Sequence, residues 1–407
     1  MAASVNWYSI AAGCLVGLMG VSVGTGEASA QEAKTLADAD WVAEFDRGGT
    51  EWGPMVSDAG DVNGDGFADV IVGSAFYQTD AGGEGRALVF HGSESGLEAS
   101  PSWTVDSDTE GSYLGQAVSG AGDVNADGFD DVLVAAPSKD DSGQVYLYLG
   151  SETGLQTSPA WTAESTQEHT TYGKSVSRAG DVNGDGYDDV IVGDPFYDGD
   201  FQNSGRAHVY LGSEDGLQAD PVWIGDPGAN KTAFFGWSVS AAGDVNGDGY
   251  DDIIIGESRY SNEQEREGRA HVFYGSASGV QETAAWTTES DLEEVEYGRS
   301  VSGAGDVNGD GFDDIIASAR VYPDEDDDTS EGAYAFYSEP PEAPEPGSDA
   351  GTGDDVDAGD AGADTTTRGS GARASSGCGC SSAGAPQDAG AAILLFALLG
   401  FIRLRRR

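Results

Sequence analysis

Five short loops in this sequence carry the residues best suited to chemistry. Each loop has nine residues of the form Asp-Val-Asn-Gly-Asp-Gly-Phe-Asp-Asp, and the loops begin at Asp61, Asp123, Asp181, Asp244 and Asp306. Aspartate at positions 1, 5 and 9 and asparagine at position 3 place several oxygen atoms on one tight turn. Calcium binds about six to eight oxygens in proteins, so the loops predict up to five Ca²⁺ sites.

The predicted ligands are the side chains at positions 1, 3, 5 and 9 and the main-chain carbonyl oxygen at position 7. They are Asp61, Asn63, Asp65, Phe67 and Asp69; Asp123, Asn125, Asp127, Phe129 and Asp131; Asp181, Asn183, Asp185, Tyr187 and Asp189; Asp244, Asn246, Asp248, Tyr250 and Asp252; and Asp306, Asn308, Asp310, Phe312 and Asp314. Position 12, a glutamate in EF-hands, is apolar in every loop, which excludes that motif. The alternative is a metal-free hairpin turn, which Asn-Gly and Asp-Gly also favour. Calcium is the preferred interpretation because three crowded carboxylates repel one another unless a cation lies among them.

The loops mark a long internal repeat. They recur every 58–63 residues, and each repeat has four short strand signals without helical periodicity; in the third repeat these are residues 173–179, 189–193, 205–212 and 221–224. Four strands in a repeat of this length are typical of a β-propeller blade. The sequence therefore predicts an all-β, five-bladed β-propeller.

Tryptophan spacing predicts how the ring closes. A tryptophan lies 20 or 21 residues before every Asp loop, beginning with Trp41, but none follows the third strand of the last repeat. One strand is thus spare at the start and one is missing at the end. We expect residues 41–44 to complete the last blade and so remove the open sheet edges. The alternative is an open arc that dimerises.

Further motifs surround the loops. An aromatic residue or leucine followed by glycine precedes each loop, in the pairs Trp52-Gly53, Leu114-Gly115, Tyr172-Gly173, Phe235-Gly236 and Tyr297-Gly298. Gly193-Asp194-Pro195 ends one of the following strands. Together these motifs resemble FG-GAP repeats over about residues 41–338. That family forms the seven-bladed propeller of integrin α subunits, so the resemblance implies a propeller built from FG-GAP repeats.

The two predicted faces differ in sequence. The face with the Asp loops is nearly uniform, whereas the opposite loops, residues 75–84, 195–204, 257–267 and 321–330, differ in every repeat. Uniform loops indicate scaffold and varied loops indicate recognition. The predicted ligand-binding residues on the varied face are Phe76, Tyr77, Phe196, Tyr197, Phe201, Tyr260 and Tyr322. The alternative is that these aromatic side chains fold back over the blades.

The charge and the few histidines of the chain limit the classes of function that it can have. The formal net charge is −53, with 72 acidic against 19 basic residues, which argues against nucleic-acid partners. Only four histidines occur, and His208 and His271 take matching places in a strand, so we predict no enzymatic activity. The favoured function is a monomeric, calcium-binding cell-surface propeller that binds an extracellular protein or polysaccharide ligand, as in adhesion. A structural spacer is the alternative, and a secreted hydrolase is a further one.

The two ends are predicted to be targeting segments. Residues 1–30 form a signal peptide with cleavage after Ala30, followed by the propeller at 31–338 and a disordered, acidic Pro/Gly/Ala linker at 339–376. Residues 377–407, with Cys378, Cys380, a short apolar run and terminal arginines, resemble a myxobacterial-type C-terminal sorting signal. The resemblance implies attachment to the outer membrane or cell surface at one of the cysteines. A retained tail anchor is the alternative.

Overall fold

The computed structural model describes residues 39–43, 54–78, 84–226, 232–320 and 332–338. The predicted signal peptide, linker and sorting signal, with Ala30, Cys378 and Cys380, lie outside these residues, as does Tyr322. Among the described residues, no helix has the length and apolar character needed to cross a membrane.

The described residues form five antiparallel sheets, each a meander of strands in chain order. The first sheet contains β1 (Met55–Gly60), β2 (Asp69–Gln78), β3 (Glu84–Phe90) and β4 (Trp103–Asp106); the second contains β5 (Ala117–Gly122), β6 (Asp131–Ala136), β7 (Gln144–Tyr148) and β8 (Trp161–Glu164). The third contains β9 (Ser175–Gly180), β10 (Asp189–Asp194), β11 (Arg206–Tyr210) and β12 (Trp223–Gly225); the fourth contains β13 (Phe235–Gly243), β14 (Asp252–Glu257), β15 (Arg269–Phe273) and β16 (Trp286–Glu289). The fifth contains β17 (Tyr297–Gly305), β18 (Asp314–Ala319) and β19 (Gly332–Phe336), and a short 3-10 helix spans Lys139–Asp141. The all-β prediction with one sheet per repeat is confirmed.

The sheets are arranged as blades around an axis. The first strands of successive sheets lie side by side, and their C-terminal ends surround a cavity of about 560 Å³ lined by Ser57, Ser119, Ser177, Ser240 and Ser302. The second strands of the second, third and fourth sheets are buried on both faces because each lies mid-sheet between two neighbouring blades. All six residues of β10, for example, are buried. This burial explains why the second strands read as apolar runs rather than as alternating patterns.

The recurrent tryptophans pack each blade onto the next. The Trp103 ring lies 4.8 Å from that of Tyr148 in the second sheet, and the Trp161 ring lies 4.8 Å from that of Tyr210 in the third. Trp41 contacts Phe90 of the first sheet in the same way, at 4.8 Å, and its indole nitrogen donates to the carbonyl of Glu98. The residues around Trp41 thus occupy the place expected of a preceding blade.

The predicted closing strand, however, is not formed among the described residues. Residues 41–43 pair with no strand there, and the fifth sheet has three strands. Its outer face is correspondingly open: Val307 is 55% and Ile316 36% exposed, whereas their counterparts in the other sheets are at most 2% exposed. The tryptophan spacing predicted that residues 41–44 complete the last blade. Among the described residues Trp41 contacts Phe90 of the first blade, and no pairing with β19 is present.

Candidate functional site

The Asp loops are folded by their own side chains. In the first loop Asp61 accepts hydrogen bonds from the backbone N–H groups of Asp65 and Gly66, at 3.0 and 2.8 Å. Asn63 Oδ1 also accepts from Asp65 N, and Asp65 Oδ1 accepts from Phe67 N. Gly66 has φ of 90°, a left-handed conformation that glycine adopts without strain. The turn therefore has the tight form predicted from its glycines.

Position 9 has a further role that sequence reasoning missed. Asp69 is buried and binds two backbone donors, Val62 N of its own loop at 3.0 Å and Gly92 N, just after β3, at 2.7 Å. The same pair of bonds recurs at Asp131, Asp189 and Asp252. Each carboxylate thus ties the loop to the turn that follows the third strand. The feature of the sequence that could have indicated this tie is the glycine that begins the turn in the first four repeats.

These buried carboxylates are electrostatically costly. Burial, opposed in part by the backbone donors, raises the pKa of Asp131 to about 8 and those of Asp189 and Asp252 to about 7. The carboxylates at positions 1 and 5 of the same loops add repulsion in the same direction. A cation held among these carboxylates would stabilise their ionised forms.

The oxygen atoms of the Asp loops are of the kinds that bind calcium. Every loop offers carboxylate, amide and carbonyl oxygens, the ligands that Ca²⁺ takes. Oδ1 at position 1 accepts one backbone hydrogen bond in the first two loops and two in the other three. In the part of the chain that the structure describes, no group of three or more histidine, cysteine, aspartate or glutamate side chains is already gathered to hold a metal ion. In the first loop the Asn63 amide instead donates to Asp65 Oδ2 at 3.0 Å.

Position 8 links neighbouring blades, which the sequence analysis also missed. Asp130 in the second loop accepts a hydrogen bond from Asp61 N at 2.7 Å and donates its own N–H to Asp61 O at 3.1 Å. The same reciprocal pair joins Asp188 to Asp123, Asp251 to Asp181 and Asp313 to Asp244. Position 8 of the first of the five loops is Ala68, which has no carboxylate. We call this reciprocal pair the blade clamp.

Most of the predicted ligand-binding aromatics are engaged within the protein. Three tyrosines stack under arginines of the third strands: Tyr77 under Arg86, Tyr197 under Arg206 and Tyr260 under Arg269, at 3.8, 3.9 and 3.4 Å. Each arginine also pairs with a carboxylate at the end of the fourth strand or directly after it: Asp106, Asp226 and Glu289, respectively. Phe76 packs against Tyr113 and Phe196 against Phe234, while Phe201 is 44% exposed.

Of the two strand histidines, His271 is buried and His208 is partly buried. His271 Nε2 lies 2.8 Å from Glu257 Oε2, and burial lowers the pKa of His208 to about 4. His208 packs edge-on against Tyr172, with ring centroids 5.4 Å apart. These contacts give both side chains a packing role within the third strands, in line with their matching places in the sequence.

Asp194, at the end of β10, predicts a pH-dependent stability. It is fully buried, Ser165 Oγ donates to it at 2.8 Å, and burial raises its pKa from 3.8 to about 6. Because the folded state binds this proton more tightly, the contribution of Asp194 to stability is greatest below about pH 4 and falls as pH rises to about 6. Asp194→Asn removes the titration and can keep the bond from Ser165. We expect the variant to gain stability over the parent across this range, reaching at most about 3 kcal/mol.

Urea unfolding of both proteins between pH 4 and 7 in constant calcium measures this difference. Other carboxylates are common to both proteins and cancel in the comparison. A difference that stays constant with pH would exclude a titrating Asp194.

Comparison with known proteins agrees with the repeat pattern. Residues 54–90, 235–273 and 297–335 match the family model for the FG-GAP repeat, and residues 123–192 match that for the FG-GAP-like repeat. Integrin alpha pat-2 of Caenorhabditis briggsae is 32% identical over 216 residues, which are 49% of this chain and 17% of that protein. Integrin alpha-6 of Gallus gallus is 34% identical over 139 residues, 33% of this chain and 12% of that protein.

These alignments cover a small part of the relatives. The chain spans 12% to 17% of the length of the two integrins named here. A solved structure of AofleA from Arthrobotrys oligospora aligns with a TM-score of 0.35 at 10% identity, covering 62% of this chain and 61% of that one. A score this low does not establish a shared fold. Parts of all five sheets match FG-GAP or FG-GAP-like repeats, and about half of the chain is similar to an integrin α subunit.

Proposed function

We propose that this protein is a calcium-binding β-propeller of the cell surface that binds a protein or polysaccharide ligand, as in adhesion. The observation that carries the proposal is the fivefold recurrence of one oxygen-rich loop beside a buried aspartate. A single such loop is explained by turn formation alone. Five with the same crowded carboxylates, in a chain whose net charge is −53, favour a bound cation in each.

Calcium would be held in each loop by the side chains at positions 1, 3, 5 and 9 and the carbonyl at position 7. It would neutralise carboxylates that burial otherwise makes hard to ionise, and so stabilise the blade junctions on this face. Five divalent ions offset only a small part of the net charge of −53. The remaining acidity favours a solvated surface suited to saline surroundings.

Ligand binding is assigned to the opposite face, where the loops differ between repeats. Among the described contact residues, Phe201 is the one most available to a partner, because it is exposed and the three described tyrosines are stacked under arginines. The surface location rests on the leader and sorting-signal patterns at the two ends. It is consistent with the similarity to integrin α subunits.

The test is binding of the purified full chain to whole cells, matrix proteins and a glycan panel, in millimolar calcium and after chelation. We expect saturable binding that chelation abolishes and that Phe201→Ala weakens. Tyr197→Ala is the matched comparison, because its main expected effect is loss of the stack with Arg206. A well-folded protein that binds nothing in calcium would contradict the proposal and favour a structural spacer.

A further inference from the structure

A second cavity opens at the other end of the propeller axis. It has a volume of about 530 Å³ and lies where the first strands begin, whereas the Asp loops follow the ends of those strands. Its lining includes Gln116, Lys174, Trp237 and Arg299, with Val56 and Phe76 beside them. We call this cavity the axial pocket.

One position of the repeat supplies four large side chains of the axial pocket. Gln116, Lys174, Trp237 and Arg299 each directly follow the glycine of the motif that precedes an Asp loop. The rest of this motif is nearly the same in every repeat, ending in valine two residues later. The residue after the glycine is the varied one, and the fold brings four of these residues to one cavity.

The axial pocket is cationic in a strongly acidic protein. Lys174 Nζ lies 5.4 Å and Arg299 Cζ 5.1 Å from the Trp237 ring centroid. Among the described residues, no carboxylate forms an ion pair with Lys174, and burial together with Arg299 lowers its pKa. An anion entering the pocket would relieve this unfavourable charge.

Arg299 is held in place by a buried carboxylate. Glu296 is fully buried and accepts from Arg299 Nη1 at 2.8 Å and from Arg259 Nε at 2.9 Å. Phe234 packs against Trp237 at 5.5 Å. Phe234 and Glu296 also have positive φ, 58° and 43°, which costs of order 1 kcal/mol or more for each non-glycine residue. Such strain is kept where the surrounding structure fixes a particular geometry, and binding sites are a common place for it.

We propose that the axial pocket binds the carboxylate of an acidic sugar residue at the end of an otherwise neutral glycan. The carboxylate pairs with Lys174 and Arg299, the sugar ring contacts Trp237, and Gln116 is available to its hydroxyl groups. A volume of this size suits a small ligand of a few rings. The proposal rests on the proposed ligand-binding function and names the ligand class and the site.

The net charge of the protein is the reason to expect a ligand with few negative groups. A net charge of −53 repels a polyanion along its whole length, whereas one terminal carboxylate meets mainly the local field of the pocket. At about 0.15 M salt, charges more than about 8 Å away are largely screened. A single buried carboxylate therefore gains from Lys174 and Arg299 without a large opposing cost.

The test measures affinity of the full chain in millimolar calcium and 0.15 M salt, with two matched ligand pairs. Sialyllactose is compared with lactose and cellobiouronate with cellobiose, which separates sialic from uronic acid as the source of the carboxylate. We expect at least one acidic sugar to bind about tenfold or more tightly than its neutral match. Lys174→Met should remove this preference, whereas Lys174→Arg should keep it.

Lys139→Met is the control, because it removes the same charge at a lysine that bonds Tyr146 rather than lining the pocket. It should leave the affinity unchanged, and thermal unfolding checks that each variant is folded. Equal binding of acidic and neutral sugars overturns this inference but leaves a glycan-binding propeller in place. Binding only of a peptide with a free carboxyl terminus, and not of its amide or of any sugar, overturns it in favour of a protein ligand. Failure of the folded protein to bind these ligands or any member of the wider panel overturns both proposals.

Discussion

Asp252→Ala is expected to destabilise the protein by about 2–6 kcal/mol in saturating calcium at pH 8. The side chain accepts from Val245 N at 3.0 Å and from Gly275 N at 2.8 Å, and both bonds are buried. Alanine leaves the two backbone donors without this partner, at a cost of about 1–3 kcal/mol each. It also removes a proposed calcium ligand. Urea unfolding of the parent and the variant measures the difference.

Asp215→Ala is the matched control for this change. Asp215 is exposed on the turn after β11, so its removal should alter stability by less than about 0.5 kcal/mol. If Asp252→Ala were as mild as the control, the buried carboxylate would not be the tie between loop and turn that its hydrogen bonds indicate.

The blade clamp gives the second large effect. Asp251→Ala removes the acceptor of Asp181 N, which Asp251 Oδ2 binds at 2.9 Å, and should cost about 1–3 kcal/mol. The reverse substitution, Ala68→Asp, supplies the carboxylate that the first loop lacks. Because the fifth sheet is open beside Val307, we expect no clamp to form there and a stability change within about 0.5 kcal/mol. Both variants are measured by urea unfolding in calcium.

Ala68→Asp distinguishes the open from the closed arrangement. In a closed ring the first loop would lie beside the fifth, and the new carboxylate would reach Asp306 N as Asp313 reaches Asp244 N at 3.0 Å. A gain of 1 kcal/mol or more would therefore mean that the ends meet in solution. If Ala68→Asp leaves the stability unchanged while Asp251→Ala shows the expected loss, the first and fifth sheets do not meet in solution.

The repeat architecture could be predicted from the sequence because the same local sequence pattern recurs in each blade. The Asp loop, the apolar second strand and the tryptophan recur at fixed spacing, so every copy supports the others. Closure of the ring could not be predicted in the same way. A pairing of Trp41 and its neighbours with β19 would be unique in the fold, so no repeated pattern specifies it.

The candidate sites were only partly predictable for a related reason. The loop aspartates were identifiable because their chemistry is local, within nine residues. The second bond of Asp69, to Gly92 N, and the partnership of Asp130 with Asp61 join residues 23 and 69 positions apart. Lys174 and Trp237 likewise meet through the arrangement of blades. Aromatic side chains such as Tyr197 were predicted from their loop position alone, but the stack on Arg206 depends on the neighbouring strand.

Calcium titration of the metal-free full chain by isothermal calorimetry tests the central claim most directly, with thermal unfolding measured in parallel. The account predicts saturable binding with a stoichiometry approaching five and a rise in the unfolding temperature, neither reproduced by magnesium at the same concentration. No binding heat and an unchanged unfolding temperature in millimolar calcium would contradict it, and the five loops would then be metal-free turns.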